Sequence, residues 1–485
     1  MKVITIDPIT RLEGHGKISI FLDEKGDVAN AYLQVPELRG FERFCEGRRA
    51  ELMPQITSRI CGVCPVAHHM ASTKALDAAF HVDPPPAAKK LRELIYSGYY
   101  IYDHTLHFFY LGGPDFVVGP DAPPAERNVL GVIKKVGLEV GKEVIKHRAY
   151  GQRITAILGG KATHPVCGLP GGVSKPLSEE ERKEIEKMAR SCVDFAQKAL
   201  QIFDQVVLKN QKYVELIKSD AYTLRTYYMG LVDEKNRVNF YDGKIRVVDP
   251  NGREFVKFAP SQYLDVIGEH VEEWTYVKFT YLKKVGWKGL VDGPDSGIYR
   301  VGPLARLNAA DGMATPLAQQ EYERMYETLG GKPVHSTLAF HWARLIELLY
   351  ACERTLELAQ DPEITSKEVR NPVGTPGEGV GVVEAARGTL YHHYQLTEEG
   401  LIKKANLIVA TTNNAAPICM SIRDAAKALI SGGKVTDGIL NMIEMAFRAY
   451  DPCYACATHF ALGKMPLEVK IYDKDRNLLY TLKRP

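Results

Sequence analysis

Apolar and polar residues alternate one by one in Lys17–Leu22 and again in Ala29–Val35, around the turn-forming Asp23-Glu24-Lys25-Gly26. That period predicts a hairpin and a small sheet near the start of the chain. From Pro65 to about Leu111 the apolar and aromatic positions recur at helical spacing, broken at Pro84-Pro85-Pro86, so core helices are expected there. A long bundle helix is expected from Glu179 to about Ile217, because Pro-Leu-Ser-Glu-Glu-Glu supplies a start signal and the charges keep to one face. Between about Tyr222 and Tyr299, Gly, Asp and β-branched residues take over, as in Lys244–Val248 followed by Asp249-Pro250-Asn251-Gly252. Strands and turns are predicted for this stretch, as an insertion or lobe without an isolating linker. Helical spacing returns at Pro316–Leu329 and Ser336–Leu358, followed by the glycine-rich Gly374–Gly381 and a strand-like Gly381–Glu384. Neither a fixed-period repeat nor a low-complexity tract is visible. One mainly helical α+β unit is the expected architecture.

Composition narrows the class without naming a function. The chain has 485 residues, of which 45% are hydrophobic and 25% charged, the balance of an ordinary globular protein. Lys plus Arg (62) nearly cancels Asp plus Glu (59), so the formal charge of +3 gives no general pull toward nucleic acid. MKVITIDPIT lacks the basic segment and long apolar run of a secretory signal, and no apolar run reaches membrane-spanning length. A cytoplasmic chain with no membrane span of its own is therefore expected.

Nine cysteines without an export signal suggest metal or redox chemistry before a disulfide framework. Four form two CxxC pairs, Cys61/Cys64 in RICGVCPVAH and Cys453/Cys456 in DPCYACATH. Cys45, Cys167, Cys192, Cys352 and Cys419 are scattered, the habit of small buried hydrophobes. Two residues between cysteines let both sulfurs face one ion from a turn or a helix start, and two such turns supply four thiolates. Spacing alone leaves a structural zinc site, an iron–sulfur cluster and a nickel site open. A dithiol–disulfide oxidoreductase would explain one pair and leave the other without a purpose. Arg59, His68, Asp451 and His459 lie within a few residues of the sulfurs, and such charged neighbours tune a working metal more than a closed structural site requires.

RxCGxCxxxH near the start together with DPCxxCxxH near the end resembles the double signature of nickel–iron hydrogenase large subunits, and the order of segments between them matches across nearly the whole chain. The resemblance implies a central helix bundle with small peripheral sheets, over a single domain spanning residues 1–459. It also implies a Ni–Fe(CN)2(CO) centre, with Cys61 and Cys453 as terminal nickel ligands and Cys64 and Cys456 bridging nickel to iron. Arg11-Leu12-Glu13-Gly14-His15 resembles the family's RxEGH segment, which makes Glu13 the proton acceptor and Cys453 its donor. Buried glutamates have raised pKa values suited to such exchange. Glu384-Ala385-Ala386-Arg387-Gly388 resembles EAPRG, which hangs Arg387 over the metals; Ala386 stands where the pattern has Pro, which leaves the placement of Arg387 less fixed. Asp103, in a DHxxHF-like segment, and Asp451 are implied partners of that arginine, and His68 a further contact of the centre. His104 and His107 share a helix face but fit core histidines better than ligands. Arg39-Gly40-Phe41-Glu42 resembles RGFE, implying a Mg2+ site made by Glu42, His459 and the carbonyl near Leu407. Val409-Ala410-Thr411-Thr412 resembles VPST, so Thr411 is expected to donate to an iron cyanide.

Family chains end at the histidine of the second motif after a maturation protease acts. Residues 460–485 follow His459 here, with Leu467–Tyr472 and Leu478–Leu482 alternating as a hairpin around Asp473-Lys474-Asp475. They are expected either to be removed on maturation or to stay as a terminal hairpin. The implied reaction is reversible heterolytic cleavage of H2. Spare cysteines are too few for the iron–sulfur clusters that must take the electrons, so a small-subunit partner is expected to hold them. RGTLYHH and NLIVAT resemble the cytosolic multimeric branch, with diaphorase, heterodisulfide-reductase or deazaflavin-linked acceptors. No G-x-G-x-x-G unit is evident, so nucleotide binding would belong to a partner. A complex-I-type relative would have lost cysteines, and a zinc-stabilised scaffold is the remaining rival.

Overall fold

The computed structural model describes residues 2–459, 467–473 and 477–484. Its frame is a set of packed helices, Pro86–Leu106, Leu138–Gly159, Glu179–Phe203 and Phe340–Gln360. Phe340–Gln360 lies against both Pro86–Leu106 and Glu179–Phe203, while Leu138–Gly159 packs on Pro86–Leu106. The predicted start at Ser178 is real: its hydroxyl accepts from the Glu181 N–H and the Glu181 carboxylate accepts from the Ser178 N–H. This reciprocal cap satisfies two otherwise unpaired donors. The long helix expected to reach Ile217 does not run through. It widens into a π turn at Asp204–Leu208 and restarts as Gln211–Lys218, where the Asn210 side chain accepts from the Lys212 N–H. Apolar spacing continues across the break, so periodicity hid it; the cap at Asn210 was the local signal.

The opening hairpin forms with Lys17–Leu22 paired antiparallel to Val28–Gln34, and Lys2–Ile6 adds an edge strand that the alternation pattern does not single out. The strand-rich stretch forms a four-stranded sheet in the order Tyr299–Arg300, Tyr227–Val232, Lys244–Val248, Glu254–Phe258, the first pairing parallel and the others antiparallel. Pro316–Leu329 is helical as expected. Leu467–Tyr472 and Leu478–Arg484 pair antiparallel; residues 460–466, which join them to His459, and 474–476, in their turn, lie outside the described residues.

A three-stranded meander, Glu378–Ala385, Gly388–Leu396 and Ile402–Ile408, lies over the helix Pro65–Ala79. Its glycines have a steric reason. A Cβ on Gly379 would fall 2.2 Å from the Ala79 nitrogen, and one on Gly381 2.1 Å from the Ala71 oxygen, so the strand backbone rests directly on the helix backbone. The first hairpin of this meander ends in Ala386-Arg387, with Ala385 opposite Gly388. Arg387 is thereby carried on the tip of a turn held against the helices.

Candidate metal centre

Both CxxC segments are turns leading into helices: Cys61 and Cys64 precede Pro65–Ala79, and Cys453 precedes the short Tyr454–Ala457. The Cys61 sulfur accepts from the N–H groups of Val63 and Cys64 at 3.3 Å each, the backbone support that a thiolate needs. Arg39 joins the two segments, its guanidinium reaching the carbonyls of both Ile60 and Ala455. The four sulfurs meet: Cys61 to Cys453 is 3.5 Å, Cys64 to Cys456 is 3.7 Å, and all four lie within 4.8 Å of one another, buried. Hydrogen bonds from the other three thiols, Cys453 first, favour ionisation at Cys61, whereas burial pushes Cys453 and Cys456 up. Packed so closely, four thiols can shed all their protons only against a cation, and the donor set therefore fits a soft multivalent metal. The five scattered cysteines are buried and free, as expected of small hydrophobes.

Glu13 comes from the far end of the chain. The Cys453 thiol donates to its carboxylate at 2.8 Å, the Tyr454 N–H donates to its carbonyl at 3.0 Å, and Glu13 and Cys453 form a parallel backbone bridge. Gly14 makes this approach feasible, because a Cβ there would lie 2.7 Å from the Ala455 nitrogen and its φ of +83° suits glycine. Burial raises the Glu13 pKa, and the nearby Cys61 thiolate adds to the effect.

Arg387 lies between two carboxylates, with Nη1 3.0 Å from Asp103 and Nη2 3.0 Å from Asp451. All three side chains are buried. Burial raises both acids, Asp451 to about 7, against the opposing pull of the shared guanidinium. The replacement of Pro by Ala386 turns out to anchor the turn: the Ala386 N–H, which a proline lacks, donates to the Tyr99 hydroxyl at 3.1 Å. Tyr96 and Tyr100 both donate to the Glu384 carbonyl at 2.7 Å. Beneath the turn, Arg306 binds Glu347 through Nε and Nη2 at 2.6 and 2.7 Å and Glu384 through Nη1 at 2.7 Å, with no exposure for any of the three. The sequence names Arg39 within a motif but gives it no role, and it does not mark Arg306 or Glu347. Arg306 sits in the apolar PLARLNA segment, where a lone arginine has no pattern to mark it.

The remaining candidates fall around this core. Thr411 Oγ1 accepts from the Cys453 N–H at 3.0 Å, which leaves its own proton free to donate. His68 is fully buried, with Nδ1 3.1 Å from His392 Nε2 and no partner at Nε2 among the described residues. The Glu42 N–H donates to the His459 carbonyl at 3.4 Å, and neither ring nitrogen of the buried His459 has a partner among the described residues. Leu407 meets Glu42 through its amide N–H, at 2.9 Å from Oε1. His104 and His107 are held as core residues, by the Glu347 carboxylate at 2.9 Å and the Arg448 carbonyl at 2.8 Å.

The family model described as nickel-dependent hydrogenase matches residues 39–129 and 142–459, and a second, HoxL-like, matches residues 3–38. The chain belongs to the nickel-dependent hydrogenase family. An F420-non-reducing hydrogenase iron-sulfur subunit from Archaeoglobus profundus is 51% identical over the whole of both chains. The NAD-reducing hydrogenase HoxS subunit beta of Cupriavidus necator is 40% identical, with 98% of each chain covered. The fold matches the crystal structure of an NAD+-reducing [NiFe]-hydrogenase in the H2-reduced state, with a TM-score of 0.89 and 39% identity over 95% of this chain and 100% of that one. This hydrogenase chain is thus a large subunit of the nickel–iron type and, as the names of its relatives imply, part of a heteromeric enzyme. Among the described residues, no helix is long and apolar enough to cross a membrane.

Proposed function

We propose that this hydrogenase chain carries reversible heterolytic H2 cleavage at a Ni–Fe(CN)2(CO) centre held by Cys61, Cys64, Cys453 and Cys456. The observation that carries this reading is the convergence of four buried thiols with Glu13 on one sulfur. When bound, the centre supplies the electrophilic pull that separates H2 into its two charged halves. Cys61 and Cys453 would hold the nickel, and Cys64 and Cys456 would serve both metals. Glu13 takes the proton from the Cys453 sulfur over one 2.8 Å hydrogen bond, within reach of direct transfer. Arg387, fixed from both sides by Asp103 and Asp451, presents a planar cation beside the thiolates, and Thr411 and His68 offer O–H and N–H groups for the diatomic ligands of iron.

Electrons leave to iron–sulfur clusters of a small-subunit partner, and further subunits of diaphorase or heterodisulfide-reductase type carry them onward in the cytoplasm. The Glu42 carboxylate and the His459 ring, which has no partner among the described residues, suit a Mg2+ ion, and Leu407, whose N–H already holds Glu42, would add its carbonyl as a third donor. The part of the chain up to His459 acts as one domain. Residues 460–485 are removed by a maturation protease after nickel insertion, a reading supported by the family match that stops at His459.

Metal analysis of the purified complex tests the main reading. Stoichiometric nickel and iron with infrared bands from CO and cyanide are expected, and zinc alone overturns it. Intact mass of the active enzyme is expected to show a chain ending at His459; a competent chain that retains residues 460–485 sinks the cleavage proposal.

A further inference from the structure

The His68 ring stands at the head of a buried hydrogen-bond chain that the reaction as described does not use. Its Nδ1 is 3.1 Å from His392 Nε2, His392 Nδ1 is 2.8 Å from the Tyr394 hydroxyl, and that hydroxyl is 3.0 Å from Ser72 Oγ. All four side chains have no exposure. Two elements supply them. His68 and Ser72 are four residues apart on Pro65–Ala79, and His392 and Tyr394 are two apart on Gly388–Leu396, so each pair shares a face of its element. The glycine contacts that press Glu378–Ala385 onto the helix hold these faces together.

We infer that Tyr394 and His392 are positioning residues that fix His68 in the tautomer whose Nε2–H faces the metal centre. The chain admits two directions. In one, Ser72 donates to Tyr394, Tyr394 donates to His392 Nδ1, His392 Nε2–H donates to His68 Nδ1, and His68 keeps its proton on Nε2. In the reverse, His68 Nδ1–H donates outward and Nε2 is left as a bare lone pair. The surroundings of His68 Nε2 select the first direction, because the hydroxyls at the far end, where Tyr394 also meets Thr57, can be served in either. His68 Nε2 is buried without a partner among the described residues, and the Cys61 thiolate, whose pull on the ring exceeds the opposing push of Arg39, favours an N–H there over a lone pair. Burial also keeps both rings neutral at pH 7, lowering His68 to about 4 and His392 well below the ordinary histidine value. The inference rests on the proposed Ni–Fe centre, since the donor's target is its sulfurs or the diatomic ligands of its iron.

Infrared spectra of the assembled holoenzyme test it, because the CO and cyanide bands respond to a donor beside the centre whether or not turnover changes. In Tyr394→Phe, which removes the proton that sets the direction, the bands are expected to shift or double while nickel and iron content stays at the native level. His392→Gln keeps an amide N–H in reach of His68 Nδ1 and is expected to retain the native bands; His392→Leu, which keeps none, is expected to reproduce the Tyr394→Phe spectrum. Fully loaded Tyr394→Phe with native bands overturns the inference, as does His392→Gln behaving like His392→Leu. Should Tyr394→Phe not accumulate, His392→Leu carries the test, and native bands in that fully loaded variant count equally against the inference. Absence of such bands from the native enzyme overturns the reading of the centre itself, a result distinct from native bands that the variants leave unmoved.

Discussion

The Cys453 thiol donates to the Glu13 carboxylate at 2.8 Å, and the same two residues join as a parallel backbone bridge. The backbone bridge thus brings the two residues together, and the side-chain hydrogen bond sets the carboxylate on the sulfur. Glu13→Gln keeps the shape and loses the proton acceptor. Exchange of H/D with solvent is expected to fall on the order of 10²-fold or more, with nickel and iron content unchanged. Normal exchange in a fully loaded variant would show that the proton leaves by another route.

Arg387 spans Asp103 and Asp451 with its two Nη groups. A lysine keeps the charge but cannot bridge both carboxylates in a plane. Arg387→Lys is expected to lower turnover by roughly 10²–10³-fold while metals load normally, measured as H2 oxidation per nickel. Near-native turnover would reduce the arginine's role to its charge alone.

The close seat of the meander on Pro65–Ala79 makes Gly381 intolerant of any side chain. In Gly381→Ala the new Cβ would meet the Ala71 oxygen at 2.1 Å and the Ala75 nitrogen at 2.3 Å, both backbone atoms that cannot rotate aside. A loss of about 1–3 kcal/mol is expected from such overpacking, read as a lower thermal midpoint. An unchanged midpoint would mean that the strand lifts off the helix at little cost.

His69 is held neutral by its partners: Nδ1 donates to the Pro54 carbonyl at 2.9 Å and Nε2 accepts from the Gly168 N–H at 2.8 Å. Protonation would set one N–H against another. Burial lowers the ring to about 4, below the unfolded value near 6.5. Between these values the unfolded chain binds more protons, so stability rises with pH there. The contribution is complete above about pH 6.5 and lost as pH falls toward 4, on the order of 3 kcal/mol in all. Urea unfolding midpoints measured from pH 7 to 4 are expected to fall more steeply for the native chain than for His69→Gln. Parallel curves for the two would exclude His69 as a source of acid lability.

Much of this was legible because local rules were obeyed. Alternation gave the Lys17–Leu22 hairpin, the cap signal gave Ser178, and CxxC spacing gave the four sulfurs, since two-residue separations are visible in one dimension. What escaped was set by long-range partners. Arg306 meets Glu347 and Glu384, 41 and 78 residues away, and nothing near Arg306 in the sequence announces a buried cation. His392 and Tyr394 show the alternation of any strand; only the helix laid across them reveals that their polar atoms form a chain with His68 and Ser72. Ala386 is a related case. Its departure from proline suggested a looser turn, whereas the recovered N–H finds Tyr99, a partner 287 residues distant.

The bridge between Glu13 and Cys453 also orders events in time. The residues it joins are 440 positions apart, and each cross-pair of sulfurs is 392 apart. During synthesis Cys61 and Cys64 emerge long before the segment that completes their set, and Glu13 waits for a bridge partner made near the end. The four-sulfur set therefore closes only after translation has passed Cys456, and until then only half of it exists.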